Sequence, residues 1–379
     1  MIVEAVLGAA YLALVATRAV LAARVTHGQK PAPPHRGSGV DVAQAILSGD
    51  PRLADVLGDT VRALPEARFL WLVDEQDAEA ARVCGALVAA HPGVRIDVMP
   101  MPPAPDRTNP KLWKLEAAYR ASAAPVFLVL DDDTRMSSAT LGALVHALET
   151  DDLATSLPVY RSADTWPSQL LAQFVANNAA VTYLSLQRWI APVTINGMAY
   201  ALRRTTLDGI EGFAALFRHL TDDLAVAGAV RAGGGTIAQV AATHEVETTV
   251  RDLRHYRQLM HRWTLFALLL LRTQPARVKA LVTLVLGLPP VLLMLLVLRA
   301  WLVPSPVAWV MLGLLLIVRS IVIVSLHRAV GTPGLHRAGA SIASELWQPV
   351  HLVHALVSPV IVWRTRRYRV RANDDFETA

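Results

Sequence analysis

Three consecutive carboxylates, Asp131 to Asp133, are the residues whose types and spacing point most directly to chemistry. They follow an apolar run, Val126 to Leu130, whose β-branched and aromatic residues predict a strand buried on both faces. Ligands of open α/β sheets bind beyond the carboxyl ends of the strands. Asp131 and Asp133 would there offer hard oxygen ligands to Mg²⁺ or Mn²⁺ that also holds a diphosphate. The alternative is a solvated loop whose acids and serines cap the next helix.

A second acidic group, DEQD, covers Asp74 to Asp77 and follows a strand predicted over residues 69–73. In a parallel sheet its carboxylates would lie along the same edge as Asp131 to Asp133. Asp74 or Asp77 would then contact the nucleoside of a nucleotide ligand. Alternatively, these acids only cap the helix that follows.

A third acidic pair, Asp222 and Asp223, opens a helix that Thr221 and Asp222 are predicted to cap. An ionised Asp223 in the first turn, facing a sugar, would serve as a general base. The alternative is that both acids only satisfy the helix N-terminus.

Two non-acidic residues complete the candidate site. Lys111 follows the turn Asn109–Pro110 at the start of a predicted helix, where an ammonium and backbone N–H groups can serve one diphosphate. A surface lysine is the alternative. Gly197 lies in a strand predicted over residues 195–204 and leaves room for the backbone to approach a ligand.

The composition indicates a soluble-type domain joined to membrane segments. Of 379 residues, 53% are hydrophobic and 18% charged, with a mean hydropathy of +0.37. The net charge of +5 suits an anionic membrane surface or a phosphorylated substrate. The sequence has no basic patch interleaved with aromatic residues, so nucleic acid is not predicted as a partner. The single cysteine, Cys84, excludes an internal disulfide and a cysteine-rich zinc site, and a core position is predicted for it.

Residues 40–249 alternate strand and helix patterns, which predicts an α/β domain with a mostly parallel sheet and right-handed crossovers. Strands are predicted over residues 40–47, 69–73, 94–99 and 126–130, and helices over 51–64 and 78–90. Residues 153–190 are predicted to be mainly helical. Residues 27–39, rich in Pro and Gly, form a linker.

Membrane segments are predicted on both sides of this domain. Residues 1–26 form an N-terminal anchor, with a cleaved signal peptide as the competing interpretation. Arg18, Arg24, Lys30 and Arg36 then place the C-terminal end of the anchor in the cytoplasm.

Residues 250–272 predict an amphipathic helix at the membrane interface, whose basic face would also hold a leaving diphosphate. The region 273–371 contains two spans, over 278–303 and 307–326, and the segment 346–363. A crossing by that last segment would put a basic tail outside, so it is predicted to be re-entrant or interfacial. Its His351 and His354 are interpreted as a polar face rather than metal ligands. Residues 372–379 are a tail.

The order of the motifs resembles that of membrane-bound, inverting glycosyltransferases of the family 2 type, and most of all the ceramide glucosyltransferase branch, family 21, with its bacterial lipid-glycosylating relatives. The motifs are DEQD (74–77), NPK (109–111), LDDDT (130–134), NGM (196–198), TDD (221–223) and HRW (261–263). The basic segment VWRTRRYRV (362–370) is similar to that branch as well.

The resemblance implies a GT-A-like fold and a role for each motif. Asp74 or Asp77 would contact the nucleoside, Asp131 and Asp133 the metal and diphosphate, and Asp223 would deprotonate the acceptor. Arg262 and Trp263 match the end of the family's (Q/R)xxRW motif, which borders the acceptor and the diphosphate together with Asp222. The sequence departs from this motif because Leu259 stands at its first position.

These observations predict a metal-dependent hexosyltransferase in a bacterial inner membrane with its catalytic domain in the cytoplasm. It would move a sugar from a UDP-linked donor, UDP-glucose or a related hexose, to the hydroxyl of a lipid such as ceramide or a hopanoid. The alternatives are transfer to a polyprenyl phosphate, which needs no strong general base, and a non-catalytic membrane scaffold that binds nucleotide-sugar. The sugar, the choice of Mg²⁺ or Mn²⁺ and the oligomeric state are left open.

Overall fold

The fold combines a large mixed α/β domain with long apolar helices. A computed structural model describes residues 2–161, 165–363 and 366–378. In chain order, the first elements are α1 (Ile2–Gly28), β1 (Val40–Ile46), α2 (Leu53–Ala63), β2 (Arg68–Asp74), α3 (Ala78–Ala90), β3 (Arg95–Met101), α4 (Pro110–Ala121), β4 (Val126–Leu130), β5 (Thr134–Arg135) and α5 (Ser138–Ala147). There follow β6 (Leu153–Tyr160), α6 (Trp166–Leu184), β7 (Ala199–Arg203), α7 (Arg204–Gly209), α8 (Asp222–Ala232), β8 (Ile237–Val246) and α9 (Leu253–Thr273). The last elements are α10 (Ala276–Val282), α11 (Leu288–Leu302), α12 (Pro306–Ala329), α13 (Ala338–Val357), β9 (Val360–Trp363), β10 (Arg366–Val370) and β11 (Phe376–Thr378).

The main sheet has eight strands in the order β3-β2-β1-β4-β7-β6-β8-β5. Strands β3, β2, β1 and β4 pair parallel with one another, as do β6 and β8, whereas β7 pairs antiparallel with β4 and β6, and β5 pairs antiparallel with β8. The predicted α/β class with a mostly parallel sheet is therefore confirmed. Because β1, β2 and β4 run in the same direction, the loops after them open at one edge, where the acidic motifs lie.

Strand β4 is buried on both faces, as its continuous apolar sequence predicts. Leu128 and Leu130 pack into a core beneath α2, α3 and α5, which also contains Cys84. Phe127 and Val129 point to the opposite core, which α4 and α8 cover. Packing on both faces of the sheet fixes the end of β4 and therefore the position of the Asp131–Asp133 turn.

The prediction for residues 153–190 is wrong in its first part. Residues Leu153–Tyr160 form strand β6, and all eight are buried. A strand covered on both faces lacks the alternation of apolar and polar residues that identifies half-exposed strands, and Thr155, Ser156 and Pro158 also interrupt the continuous apolar run by which β4 was recognised. The helical prediction holds for Trp166–Leu184.

Three helices are long and apolar enough to cross a membrane within the described residues: Ile2–Gly28, Ala276–Leu302 and Pro306–Ala329. The second includes α10, α11 and a π-helical turn, Thr283–Gly287. The ends of α1 and α11 meet where the Arg299 guanidinium lies 2.7 Å from the Glu4 carboxylate. The three helices correspond to the predicted anchor and the two predicted spans.

The secondary structure after the second predicted span differs from the prediction. Helix α13 begins at Ala338, eight residues before the predicted segment, and packs against α6, α9 and α11. Strands β9, β10 and β11 form an antiparallel sheet, so part of the predicted tail is a strand. His351 is buried, with its ring 5.5 Å from that of Tyr256, and does not lie on an exposed polar face. That α13 is re-entrant or interfacial stays a prediction.

A buried ion cluster ties α13 to the apolar helices. The Glu345 carboxylate is 2% exposed and pairs with the Arg319 guanidinium at 2.7 Å. Arg18 lies 3.9 Å from the same carboxylate, and the Tyr11 hydroxyl donates to it at 3.2 Å. Arg18, expected to mark the cytoplasmic end of the anchor, therefore neutralises a buried carboxylate instead.

Candidate active site

Four chain segments converge on the ammonium group of Lys111. Its Nζ lies 2.7 Å from Oδ1 of Asp131 and 2.8 Å from Oδ2 of Asp222, and it donates to the Gly197 carbonyl at 2.8 Å. The Gly197 contact is a hydrogen bond, and the two carboxylates are held as ion pairs, since Oδ2 of Asp222 accepts no hydrogen bond among the described residues. Burial opposes the charge, but Asp131 and Asp222 outweigh it and hold the pKa of Lys111 well above its usual value. Lys111 thus joins the DDD turn to the TDD helix.

The N-terminus of α4 is already capped. The Asn109 side chain accepts from the backbone N–H groups of Lys111 at 2.9 Å and Leu112 at 3.4 Å. The predicted use of these groups and of the Lys111 ammonium for a diphosphate stays a prediction. The structure adds a role that the sequence did not indicate, because Lys111 holds two acids of the site together.

The three carboxylates of the DDD turn point to different partners. Asp131 faces Lys111, whereas Oδ2 of Asp132 accepts from the backbone N–H of Leu47 at 2.7 Å. Oδ2 of Asp133 accepts from the Thr248 hydroxyl at 2.6 Å. A cavity of about 140 Å³ opens beside Asp132 and Asp133, between the loop after β1 and Glu247. In this turn Asp133 therefore lines a cleft, and Asp132 holds the loop after β1 through its hydrogen bond with Leu47.

The carboxyl of Asp133 lies in negatively charged surroundings. Burial, followed by the charges of Asp131 and Asp132, raises its pKa to about 7, although hydrogen bonds from Thr248 and Thr134 oppose the shift. Within the three described ranges, no group of three or more His, Cys, Asp or Glu side chains already converges as a metal site. Two carboxylates with a substrate diphosphate and water are nevertheless a fitting oxygen set for Mg²⁺ or Mn²⁺. The donor set thus fits a divalent cation.

Asp223 lies in the first turn of α8, beside Asp222. Its Oδ1 accepts from the backbone N–H of Leu224 at 2.8 Å. Burial, and next the charge of Asp222, raises the pKa of Asp223 to about 7. A side chain at Gly197 would place its Cβ only 3.1 Å from the Asp223 Cβ. Gly197, predicted to leave room for a ligand, in this structure leaves room for Asp223.

The two aspartates of the DEQD motif have separate environments. Asp77 caps α3 by accepting from Ala80 N–H at 3.0 Å, and its other oxygen accepts from Ser48 N–H at 2.8 Å. Burial acts to raise the pKa of Asp77, but these N–H donors outweigh it and the net pKa is lowered. Asp74 pairs with Lys114 at 2.9 Å and keeps 38% of its side chain exposed. The Asp74 carboxylate therefore remains partly accessible to a ligand.

The RW pair of α9 lies beside the DDD turn. The Trp263 ring contacts the Tyr160 ring edge-on, with centroids 5.9 Å apart. Burial and the charges of Asp133 and Asp131 raise the pKa of Tyr160 well above its usual value, while the charge of Arg262 lowers it. The charges of the DDD turn and of the RW pair therefore both act on the Tyr160 hydroxyl. Leu259, the departure from the family motif, packs into the apolar cluster around Tyr160.

Sequence reasoning missed Asn373, which holds the entry to α8. Its side-chain oxygen accepts from both the backbone N–H and the hydroxyl of Thr221, each at 2.7 Å. Its backbone carbonyl accepts from Leu220 N–H at 2.7 Å. The Thr221 hydroxyl consequently makes no cap hydrogen bond to its own helix, contrary to the prediction. A single Asn in a polar tail carries no pattern that points to a residue 152 positions away.

Replacing Asn373 with Ala is expected to lower kcat about tenfold and to leave the KM for the donor within about twofold. The loss of three hydrogen bonds with Thr221 loosens the turn that aims Asp223, and each such bond contributes roughly 1 kcal/mol. Steady-state kinetics measure this, with Asp374→Ala, an exposed neighbour, as the matched control. Equal kcat in the Asn373 and Asp374 variants would contradict the assignment.

The comparisons with known proteins agree with this geometry. A model of the family described as Glycosyl transferase family 21 matches residues 2–376. The chain belongs to glycosyltransferase family 21. It is also similar to a mannosyltransferase from Pyrobaculum calidifontis, solved in complex with GDP-Man and Mn²⁺, with 15% identity and a TM-score of 0.50 over 93% of this chain and 98% of that one. Glucosyl-3-phosphoglycerate synthase from Mycobacterium tuberculosis, solved with Mg²⁺ and UDP, covers 59% of this chain and 78% of its own at 17% identity and a TM-score of 0.34.

The family membership and the fold confirm two predictions. The α/β domain is of the GT-A type, and the protein is a nucleotide-sugar glycosyltransferase. The roles of the individual site residues remain proposals.

Proposed function

We propose that this family 21 enzyme moves a hexose from a UDP-linked donor to the hydroxyl of a membrane lipid, such as ceramide or a hopanoid, with inversion at the anomeric carbon. The observation that carries the proposal is Asp223, a half-buried acid with a pKa of about 7, next to the Asp131–Lys111–Asp222 bridge. A general base works best when its pKa lies near the working pH. The three apolar helices support an acceptor that resides in the membrane.

The residues divide into four tasks. Asp74 contacts the nucleoside at the end of β2, while Asp131 and Asp133 face the diphosphate. Lys111 keeps Asp131 and Asp222 at a fixed separation, which lowers the cost of organising the site during reaction. Asp223 takes the proton of the acceptor hydroxyl as its oxygen attacks the anomeric carbon and the bond to the nucleotide breaks.

A divalent cation suits the acidic turn, and the solved mannosyltransferase holds Mn²⁺ with GDP-Man. Asp131 and Asp133 would hold such an ion, which supplies positive charge that stabilises the leaving diphosphate. Arg262 on α9 would extend this role on the protein side, because its charge acts on the Tyr160 hydroxyl, as the charges of Asp131 and Asp133 do.

We place the α/β domain in the cytoplasm. Arg24, Lys30 and Arg36 follow the first span, and basic residues likewise precede the second span and follow the third. The pairing of Glu4 with Arg299 agrees with this topology, since both residues then lie at the opposite side of the membrane. Nucleotide-sugars would reach the sheet edge from the cytoplasm.

The apparent affinity for Mn²⁺ is expected to fall about tenfold for each pH unit below 7, because a proton competes with the ion for Asp133. The pKa of this acid is raised, so protonation begins near pH 7 rather than near 4. Mn²⁺ titrations of the thermal unfolding midpoint at pH 6 and pH 8 test this, with Asp133→Asn expected to remove the difference. Equal Mn²⁺ affinity of the wild type at both pH values would contradict it.

The function itself is tested by nucleotide release from purified enzyme in detergent, over a panel of UDP- and GDP-sugars with Mn²⁺ or Mg²⁺. We expect release from one donor to increase when a total lipid extract is added and to disappear in Asp133→Ala. Asp55→Asn, an exposed acid on α2, is the control that keeps full activity. Absence of release from every donor by folded protein would favour a binding scaffold and contradict the proposal.

A further inference from the structure

A second cavity, of about 410 Å³, lies between α9, α13 and the strands β9 and β10. It is separate from the acidic edge, because none of the acids of the three motifs lines it. Its polar lining consists of Arg254, Arg257, Gln258, His261, His354, Ser358 and Arg367. A cavity of this size accommodates a small ligand or a lipid head group.

The cavity carries positive charge without compensation. Three arginines line it and no carboxylate does. Across the residues that the structure describes, no acid lies within ion-pair distance of Arg254, Arg257 or Arg367. Guanidinium groups that face one another across a cleft repel each other, and an anion with several acceptor oxygens relieves that repulsion.

The cavity is built by the packing of three elements. Residues 254, 257, 258 and 261 follow the i, i+3, i+4, i+7 spacing, so they share one face of α9. Arg367 on β10 pairs in register with Val362 on β9, and both line the cavity. The rings of His261 and His354 stack with centroids 4.0 Å apart, which joins α9 to α13 at the cavity wall.

His261 adds an unpaired hydrogen-bond acceptor to the lining of the cavity. It is 4% exposed, and its Nε2 donates to the Val360 carbonyl at 3.1 Å. Its Nδ1 is buried and has no hydrogen-bond partner among the described residues. Buried polar atoms are almost always paired in folded proteins, so an orphan on a cavity-lining ring calls for a partner.

The surroundings of the cavity indicate a lipid rather than a free anion. Helix α13, which forms one wall, exposes a row of large apolar side chains: Trp347, Val350, Val353, Leu356 and Val357. An exposed apolar face of this extent is a surface for membrane contact. A ligand that reaches the arginines while touching this face has both a phosphate and acyl chains.

We propose that this cavity binds the phosphodiester head group of an anionic membrane phospholipid, whose acyl chains lie along the exposed apolar face of α13. Arg254, Arg257 and Arg367 bind the phosphate oxygens, and a hydroxyl of the head group donates to His261. The site is distinct from the sugar-transfer site and holds α9 and α13 at the level of the lipid head groups.

Equilibrium binding of short-chain phosphatidylglycerol to the full-length protein in a neutral maltoside detergent tests the site. Arg254→Gln combined with Arg257→Gln is expected to weaken binding at least about tenfold, since two charge-assisted contacts are lost. Arg251→Gln combined with Arg272→Gln removes the same charge from exposed positions outside the cavity and is expected to bind like the wild type. Arg367→Gln, on a different element, provides an independent variant.

A panel of ligands distinguishes an anionic phospholipid from a neutral lipid and from a free phosphate. Short-chain phosphatidylcholine, with no net charge, and glycerol 3-phosphate, with no acyl chain, are expected to bind at least about tenfold more weakly than phosphatidylglycerol. Equal binding of glycerol 3-phosphate would overturn the lipid assignment. Competition by UDP would assign the cavity to the donor site, and equal binding by cavity and control variants would also overturn the proposal.

Discussion

Asp223→Asn is expected to lower kcat for lipid glycosylation by about 10³-fold, within the range that general bases contribute. The amide keeps the size of the side chain and still accepts from Leu224 N–H, so α8 should begin as before. Only the ability to take a proton is lost. The KM for the donor is expected to change little, because Asp131 and Lys111 remain in place.

Initial-rate kinetics with radiolabelled donor and lipid extract measure this loss, and Asp208→Asn, an exposed acid that pairs with Arg204, is the control. In the wild type, kcat/KM should rise about tenfold per pH unit as pH increases towards 7, since Asp223 must be deprotonated to act. Activity of Asp223→Asn close to that of the wild type would contradict the role. It would favour a phosphate acceptor, which needs no strong base.

Glu345→Gln is expected to reduce the free energy of unfolding by about 3 kcal/mol or more, because removing one partner of a buried ion pair leaves the other charge uncompensated. Here two arginines, Arg18 and Arg319, lose their shared carboxylate in the interior of the helix bundle. The Arg319 side chain is fully buried, so water cannot replace that carboxylate.

Thermal unfolding in detergent, followed by tryptophan fluorescence and size-exclusion chromatography, measures this loss of stability. Glu345→Asp keeps the charge and should lose less than Glu345→Gln. Glu79→Gln, which breaks an exposed pair with Arg82, should leave the unfolding midpoint unchanged. An unchanged midpoint for Glu345→Gln would show that the cluster does not hold α13 to the apolar helices.

Local sequence patterns predicted the elements of the α/β domain well. Helix α3, from Ala78 to Ala90, and strand β4, from Val126 to Leu130, lie where the sequence predicts them. In each case a run of apolar residues is bounded by polar residues that cap or turn the chain. Strand β6 was missed because it lacks an alternating pattern and because, unlike in β4, Thr155, Ser156 and Pro158 interrupt its apolar run.

Long-range contacts explain what the sequence could not indicate. Lys111 binds Asp131 and Asp222 across two loops, and Asn373 reaches Thr221 from the far end of the chain. Such pairs depend on the packing of the whole domain rather than on any local spacing. Arg18 shows the converse error, because a charge assigned to the membrane surface by its position pairs with Glu345 in the interior.

The measurement that tests the central claim most directly is the anomeric configuration of the lipid product, determined by nuclear magnetic resonance on glycolipid made by the wild type and by Asp223→Asn. We predict a glycolipid whose configuration is inverted relative to the donor, formed by the wild type and reduced about 10³-fold in the variant. A product that retains the donor configuration, or equal yields from both proteins, would contradict transfer by direct attack of a hydroxyl that Asp223 deprotonates.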